Sequence, residues 1–227
     1  MSEQLPLGLQ LPRERALGDF LPGPNAEALT AVRQGIEPYL YLWGEHGTGK
    51  THLLLGAARA AQAAGQSALY LDLGASTHLP VDLLDGLEDM DLVCLDDVQS
   101  TARLDAWEQA LFYLFNQLRD AGRRLLVSGD APAAELPFDL PDLRSRLTWG
   151  PGFRLRPLDD ESRLELLYRS AARRGMPLAP AAARYILNHC PRDLHYLESL
   201  LDRLDDYSLA QQKKPTIALI QRALEKS

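Results

Sequence analysis

Residues 44–51 read Gly44-Glu45-His46-Gly47-Thr48-Gly49-Lys50-Thr51 and fit the spacing G-x-x-x-x-G-K-[ST]. Glycines at these positions let backbone N–H groups curl around an anion. A helix N-terminus directly after the loop adds partial positive charge at the same point. In this spacing Lys50 reaches the β/γ-phosphates and the Thr51 hydroxyl sits on Mg²⁺. The competing reading is a glycine-rich turn that matches by accident. The flanks argue against it: the apolar run Tyr39-Leu40-Tyr41-Leu42-Trp43 enters the loop, and a helical pattern from His52 to Arg59 leaves it. The chemistry expected is the binding of a nucleoside phosphate.

Two further sets of residues extend that chemistry. Asp96 and Asp97 end an apolar, strand-like run; one carboxylate can hold the Mg²⁺ shell and its neighbour can polarise an attacking water. The plainer alternative is a pair of solvated loop acids. Ser128 and Asp130 end the following strand, where a polar side chain could hydrogen-bond the γ-phosphate or the water, or simply form a turn. Arg144, Arg146 and Arg192 come later. An arginine offered to a neighbour's γ-phosphate stabilises transition-state charge. Arg192 opens a helix from which it could reach back to phosphates. Each is otherwise an ordinary surface arginine, and chemistry alone does not choose between Arg144 and Arg146.

These residues need a frame. The sequence predicts a helix over 25–34, strands over 67–73, 91–97, 123–130 and 153–155, and a short helix over 80–87. A long helix over 104–121 carries Leu104, Trp107, Leu111, Leu114, Phe115 and Leu118 on one stripe. Strands alternating with helices imply an α/β fold with a mostly parallel, five-stranded sheet covered on both faces. From Pro157 only helical patterns remain: a stripe of Leu164, Leu167, Tyr168 and Ala171 entered at Asp159 or Asp160, a helix opened by Pro180, a third through Leu194, Leu197, Leu201 and Leu204, and a fourth capped by Thr216. The domains expected are an extended tail over 1–12, an α/β domain over 13–156 and a small all-helical lid over 157–227.

The 227 residues, 46% hydrophobic and 24% charged, describe an ordinary globular chain, and a net charge of -7 argues against nucleic-acid binding by bulk electrostatics. Cys94 and Cys190 have no metal-ligand spacing, and Cys94 reads as a buried hydrophobe. With no membrane-length apolar run and no leader pattern, a cytoplasmic location is expected. In the tail, Leu5, Leu7, Leu9 and Leu11 share one face of an extended chain. That stripe could dock on a partner or pair with the chain's own sheet.

The set Gly44–Thr51, Asp96-Asp97-Val98-Gln99, Ser128-Gly129-Asp130 and Ser145-Arg146-Leu147-Thr148-Trp149-Gly150 resembles the AAA+ module of the bacterial replication initiator DnaA. Pro191-Arg192-Asp193-Leu194 falls where that family places its second sensor. Gly18-Asp19-Phe20-Leu21-Pro22-Gly23-Pro24-Asn25 resembles the segment that holds the base. Gln4-Leu5-Pro6-Leu7-Gly8-Leu9 resembles the Gln-Leu-x-Leu-x-Leu peptide that docks on the DNA polymerase sliding clamp (its beta subunit), which favours docking for the tail. A DnaA-like module carrying such a tail is similar to the DnaA-homologous regulatory inactivators of the initiator.

The resemblance implies a P-loop AAA+ core with a helical lid and a bound ADP or ATP with Mg²⁺. Gly44, Gly47, Thr48, Gly49, Lys50, Thr51 and His52 would form the phosphate cradle, Phe20 and Leu21 the base side, and Thr51 with Asp96 the metal side. Asp97 would complete the second element, with Asp130 as first sensor, Arg146 as finger and Arg192 as second sensor. Gln4, Leu5, Leu7 and Leu9 would bind the clamp. Many AAA+ proteins have glutamate at the position of Asp97 and asparagine at that of Asp130, so intrinsic ATP turnover is expected to be weak. The chain ends with the lid, so no sequence-specific DNA binding of its own is expected. A homo-oligomer is compatible with the way such modules pack. The implied function is stimulation of ATP hydrolysis on DnaA; the alternative is a self-acting ATPase of the helicase-loader type.

Overall fold

The computed structural model describes residues 16–191, 193–211 and 215–225. They form two compact units that meet in sequence between Leu155 and Arg156. The first contains α1 (Ala26–Gln34), β1 (Tyr39–Trp43), α2 (Lys50–Ala63), β2 (Ala68–Asp72), α3 (Leu73–Ser76), β3 (Leu92–Asp96), α4 (Asp105–Asp120), β4 (Arg124–Gly129), α5 (Pro141–Leu147) and β5 (Gly152–Arg154). The sheet order is β2-β3-β4-β1-β5. Every pairing is parallel. The loops after β1, β3 and β4 therefore leave one edge of the sheet, where open α/β sheets bind ligands.

Alternation along the strands divides the core in two. Tyr39 and Tyr41 join Val93, Leu95, Leu125 and Val127 on the face covered by α4 and α5. Leu40 and Leu42 join Cys94, Leu126 and the buried residues of α1 and α2 on the other. On α4, Trp107, Leu111, Leu114, Phe115 and Leu118 are buried as the stripe predicts. Leu104 is not part of it: it precedes the helix in extended conformation and is exposed. The helix expected over 80–87 is absent. Two separate 3₁₀ turns, Val81–Leu84 and Leu87–Asp89, stand there instead, because the chain breaks at Asp85-Gly86.

The short helix α5 is held at both ends. Glu108 of α4, only 2% exposed, accepts hydrogen bonds from the backbone N–H of Asp139 (3.1 Å) and Leu140 (2.7 Å), the residues that lead into α5, and from that of Arg103 (2.7 Å). At the other end the Tyr39 hydroxyl donates to the Leu147 carbonyl at 2.9 Å. Leu143 and Leu147 are buried beneath the helix.

The second unit is helical: α6 (Asp160–Arg173), α7 (Pro180–His189), α8 (Leu194–Gln211) and α9 (Ile217–Glu225). Asp159 rather than Asp160 caps α6, accepting from the Ser162 N–H at 2.8 Å. Its core gathers Leu167, Ala171, Ile186, Leu197, Leu200, Leu201, Leu204 and Ile220. Arg174 ties the end of α6 to Glu198 (3.0 Å) and Asp202 (2.5 Å) of α8. Among the described residues no helix is long and apolar enough to cross a membrane.

Candidate functional site

The loop from Gly44 to Gly49 leaves β1 and turns into α2, as its spacing requires. Two glycines are there because nothing else fits. A Cβ on Gly44 (φ 153°) would lie 2.4 Å from the Leu155 carbonyl oxygen, and one on Gly49 (φ 100°) would lie 2.7 Å from the Phe20 ring. The buried Lys50 ammonium spans the loop, donating to the carbonyls of Gly44 (2.8 Å) and Glu45 (3.1 Å). The Thr48 hydroxyl donates to the Glu45 carbonyl at 2.9 Å. The first N–H groups of α2, at Lys50, Thr51 and His52, precede the helix's own hydrogen-bond ladder and suit an anion.

The segment before α1 lies against this loop. Phe20 is buried on Gly49 and meets the His52 ring edge-on at 5.4 Å. The His52 Nε2 lies 2.9 Å from the Ala16 carbonyl. Leu21 is half-buried beside it. Phe20, distant in sequence, thus shares one place with Gly49 and His52.

Across the sheet edge stands a network of acids. Asp96 is 2% exposed and accepts from the Ser128 hydroxyl at one oxygen and the Tyr70 phenol (2.7 Å) at the other. The Ser128 Oγ in turn accepts from the Asp97 backbone N–H at 3.0 Å. Ser128 is fully buried by these bonds, so it does not offer its hydroxyl to a phosphate. Asp97 has φ 55°, in the left-handed region that suits few side chains, and accepts from the Gln99 amide at 3.3 Å. Burial first, then the Asp96 charge, pushes the Asp97 carboxyl up, while the Lys50 ammonium works against that shift. Asp130 lies beyond β4 and is exposed. After burial itself, it is the cause that raises the Tyr41 phenol. Burial, followed by the Asp96 charge, likewise raises the Tyr70 phenol, which stays a protonated donor.

A hydroxyl at Thr51 and a carboxylate at Asp96 are hard oxygen donors of the kind Mg²⁺ takes when phosphates and waters supply the rest. Among the described residues there is no group of three or more His, Cys, Asp or Glu side chains that could hold a metal by itself.

The arginines behave differently. Arg144 and Arg146 both lie in the last turn of α5. Arg144 is exposed, whereas Arg146 is half-buried with its guanidinium 6.0 Å from the centre of the Phe112 ring. Among the described residues no ring contact of Arg146 involves the phosphate loop. Tyr113 (62%), whose ring packs on Phe112 at 5.8 Å, and Trp149 (53%), which follows α5, are exposed, with Trp149 packed edge-on to Phe115 at 6.2 Å. Arg192, Gln4, Leu5, Leu7 and Leu9 lie outside the described residues. Sequence reading missed Tyr70. Its signal was a polar ring that alternation along β2 puts on the same face as Asp96, since Asp72 pairs with Asp96.

Residues 25–153 match the model of the bacterial DnaA ATPase domain, and residues 160–224 match that of the Hda lid domain. Domain III of the Thermotoga maritima initiator DnaA superposes with a TM-score of 0.82 at 22% identity, covering 95% of this chain and 98% of that one. AMPPCP-bound DnaA from Aquifex aeolicus gives 0.72 at 22% identity over 85% of this chain and 65% of that one. The Thermotoga maritima RuvB branch-migration motor gives 0.70 at 17% identity over 94% and 72%. At these identities the solved structures show the fold. With more than half its length matched by the ATPase-domain model, the chain belongs to the DnaA-type AAA+ family, and its lid resembles that of Hda.

Proposed function

We propose that this protein is a negative regulator of replication initiation that promotes hydrolysis of the ATP bound to DnaA. The observation that carries the reading is the pairing of a DnaA-type ATPase core with a lid matching the Hda lid model. The chain holds ADP or ATP in the loop from Gly44 to Thr51, in keeping with the AMPPCP bound by the Aquifex relative. Phe20 and Leu21 line the base side. Thr51 and Asp96 would hold Mg²⁺, which when bound neutralises phosphate charge. Asp97 and Asp130 stand where water and γ-phosphate are sensed, and Arg192 is assigned as second sensor from the lid. With Asp97 shorter than glutamate, the chain's own turnover is weak.

The working group is Arg146, delivered in trans to the initiator's nucleotide. It lies against Phe112, whose neighbour Tyr113 is exposed as is Trp149 after the helix, residue types common at protein contacts, on a helix that Glu108 and Tyr39 hold in place. The tail residues Gln4, Leu5, Leu7 and Leu9 dock on the sliding clamp, which concentrates the protein beside its target.

The test is hydrolysis of labelled ATP held on DnaA, with clamp loaded on DNA, in the presence and absence of this protein. Acceleration is expected, with a loss on the order of 10³-fold for Arg146→Ala, and a weaker response when Gln4 and Leu5 are both replaced by Ala. Undiminished acceleration by Arg146→Ala would remove the finger assignment. No acceleration, joined to brisk ATP turnover by the protein alone and binding to a helicase, would replace the reading with the loader type.

A further inference from the structure

We infer that Tyr70 is a positioning residue for Asp96, fixing the carboxylate in the orientation that takes up a divalent cation together with the nucleotide. The inference rests on the assignment of Asp96 to the metal side of the site made above.

The geometry is specific. Each oxygen of Asp96 has its own donor: the Tyr70 phenol at 2.7 Å on one side and the Ser128 hydroxyl on the other. The terminal torsion of an aspartate is otherwise broad and roughly two-fold. Two donors on opposite oxygens select one plane. The donors come from the strands on either side of β3, because β2 and β4 both pair with it. β2 carries Tyr70 and is itself tied to α2 by the Gln62 amide, which donates to the Ala68 carbonyl at 2.8 Å.

An ionised carboxylate offers about four acceptor positions, so two bonds leave room for an ion's water. Mg²⁺ demands near-ideal octahedral geometry, which makes the plane of the carboxylate matter. Partners that orient a metal-side group typically change metal affinity 10–100-fold when removed. Tyr70 is only half-buried, so Tyr70→Phe keeps its ring packing and deletes the single donor.

The experiment titrates a fluorescent ADP analogue into the full chain at a series of MgCl₂ concentrations and in excess EDTA, for wild type, Tyr70→Phe and Asp96→Asn. For Tyr70→Phe the Mg²⁺ concentration giving half-maximal tightening of nucleotide is expected to rise about tenfold, with the affinity in EDTA unchanged. An unchanged Mg²⁺ requirement in Tyr70→Phe, where Asp96→Asn shifts it, overturns the role of Tyr70 and leaves the metal assignment standing. Equal weakening in Mg²⁺ and in EDTA, or loss of nucleotide binding altogether, makes Tyr70 a structural support and also overturns the inference. If Mg²⁺ has no effect on wild type, or Asp96→Asn leaves the requirement unchanged, the assignment of Asp96 falls and the inference falls with it.

Discussion

Asp97 carries two costs at one residue. Its backbone is left-handed at φ 55°, and its carboxyl is half-buried beside Asp96. The native state holds the Asp97 proton more tightly than the unfolded chain does, so its folded pKa lies above the ordinary 3.8. Stability from this group is therefore complete below that ordinary value and declines as pH rises through the raised one. Asparagine tolerates the left-handed backbone and carries no charge. Asp97→Asn is thus expected to raise the melting temperature at pH 7 by roughly 1–2 °C, about 0.5 kcal/mol after solvent screening. The gain should close as pH falls below about 4, near the reference aspartate value; thermal melts at a series of pH values would show it. A gain that persists unchanged at low pH would mean that the charge is not the cause. The placement of Lys50, Thr51, Asp96 and Asp97 was legible from sequence because each lies within one loop or at one strand end. Tyr70 was not, since its bond to Asp96 joins residues 26 apart whose meeting depends on the pairing of β2 with β3. Ser128 was placed at its strand end with its role open, and its burial under Asp96 depended on side-chain direction.

At the scale of elements, α5 is the one whose position decides most and whose sequence says least. It is seven residues long and starts at a proline, too short for periodicity to declare it. By contrast, α4 was legible because sixteen residues give the apolar stripe room to repeat. What holds α5 is a buried carboxylate with three backbone donors, and removing it leaves those N–H groups without their acceptor. Each unmet buried donor costs roughly 1–3 kcal/mol. Glu108→Ala is therefore expected to lower unfolding free energy in urea by about 3 kcal/mol or more, and Glu108→Gln, which keeps one acceptor oxygen, by about 1–2 kcal/mol. Because Asp139 and Leu140 lead into α5, amide exchange in residues 139–147 of Glu108→Gln should accelerate more than in β1 or β3. Uniform acceleration across the first unit would show that Glu108 supports the whole core and not this helix in particular.

For the molecule as a whole, the switch from strands alternating with helices to helices alone was legible as a change of pattern near Arg156-Pro157. The order β2-β3-β4-β1-β5 was not, because parallel pairing is implied by alternation whereas neighbourhood is settled by packing. Parallel pairing brings the ends of β1, β3 and β4 to one edge, so the nucleotide proposed to bind there would be a ligand of the native protein and not of the unfolded chain. A ligand that binds only the native state stabilises it by about 2.7 kcal/mol at one hundred times its dissociation constant. For a chain of this size that corresponds to roughly 5–10 °C in melting temperature. The three tryptophans, Trp43, Trp107 and Trp149, all lie in the first unit, so their fluorescence reports that unit without the lid. Saturating ADP with Mg²⁺ is expected to raise the fluorescence-detected transition by this amount in wild type. In Lys50→Ala the same nucleotide concentration should produce almost no shift, because the ammonium that spans the loop is gone. An equal shift in both proteins would place the nucleotide somewhere other than the Gly44–Thr51 loop.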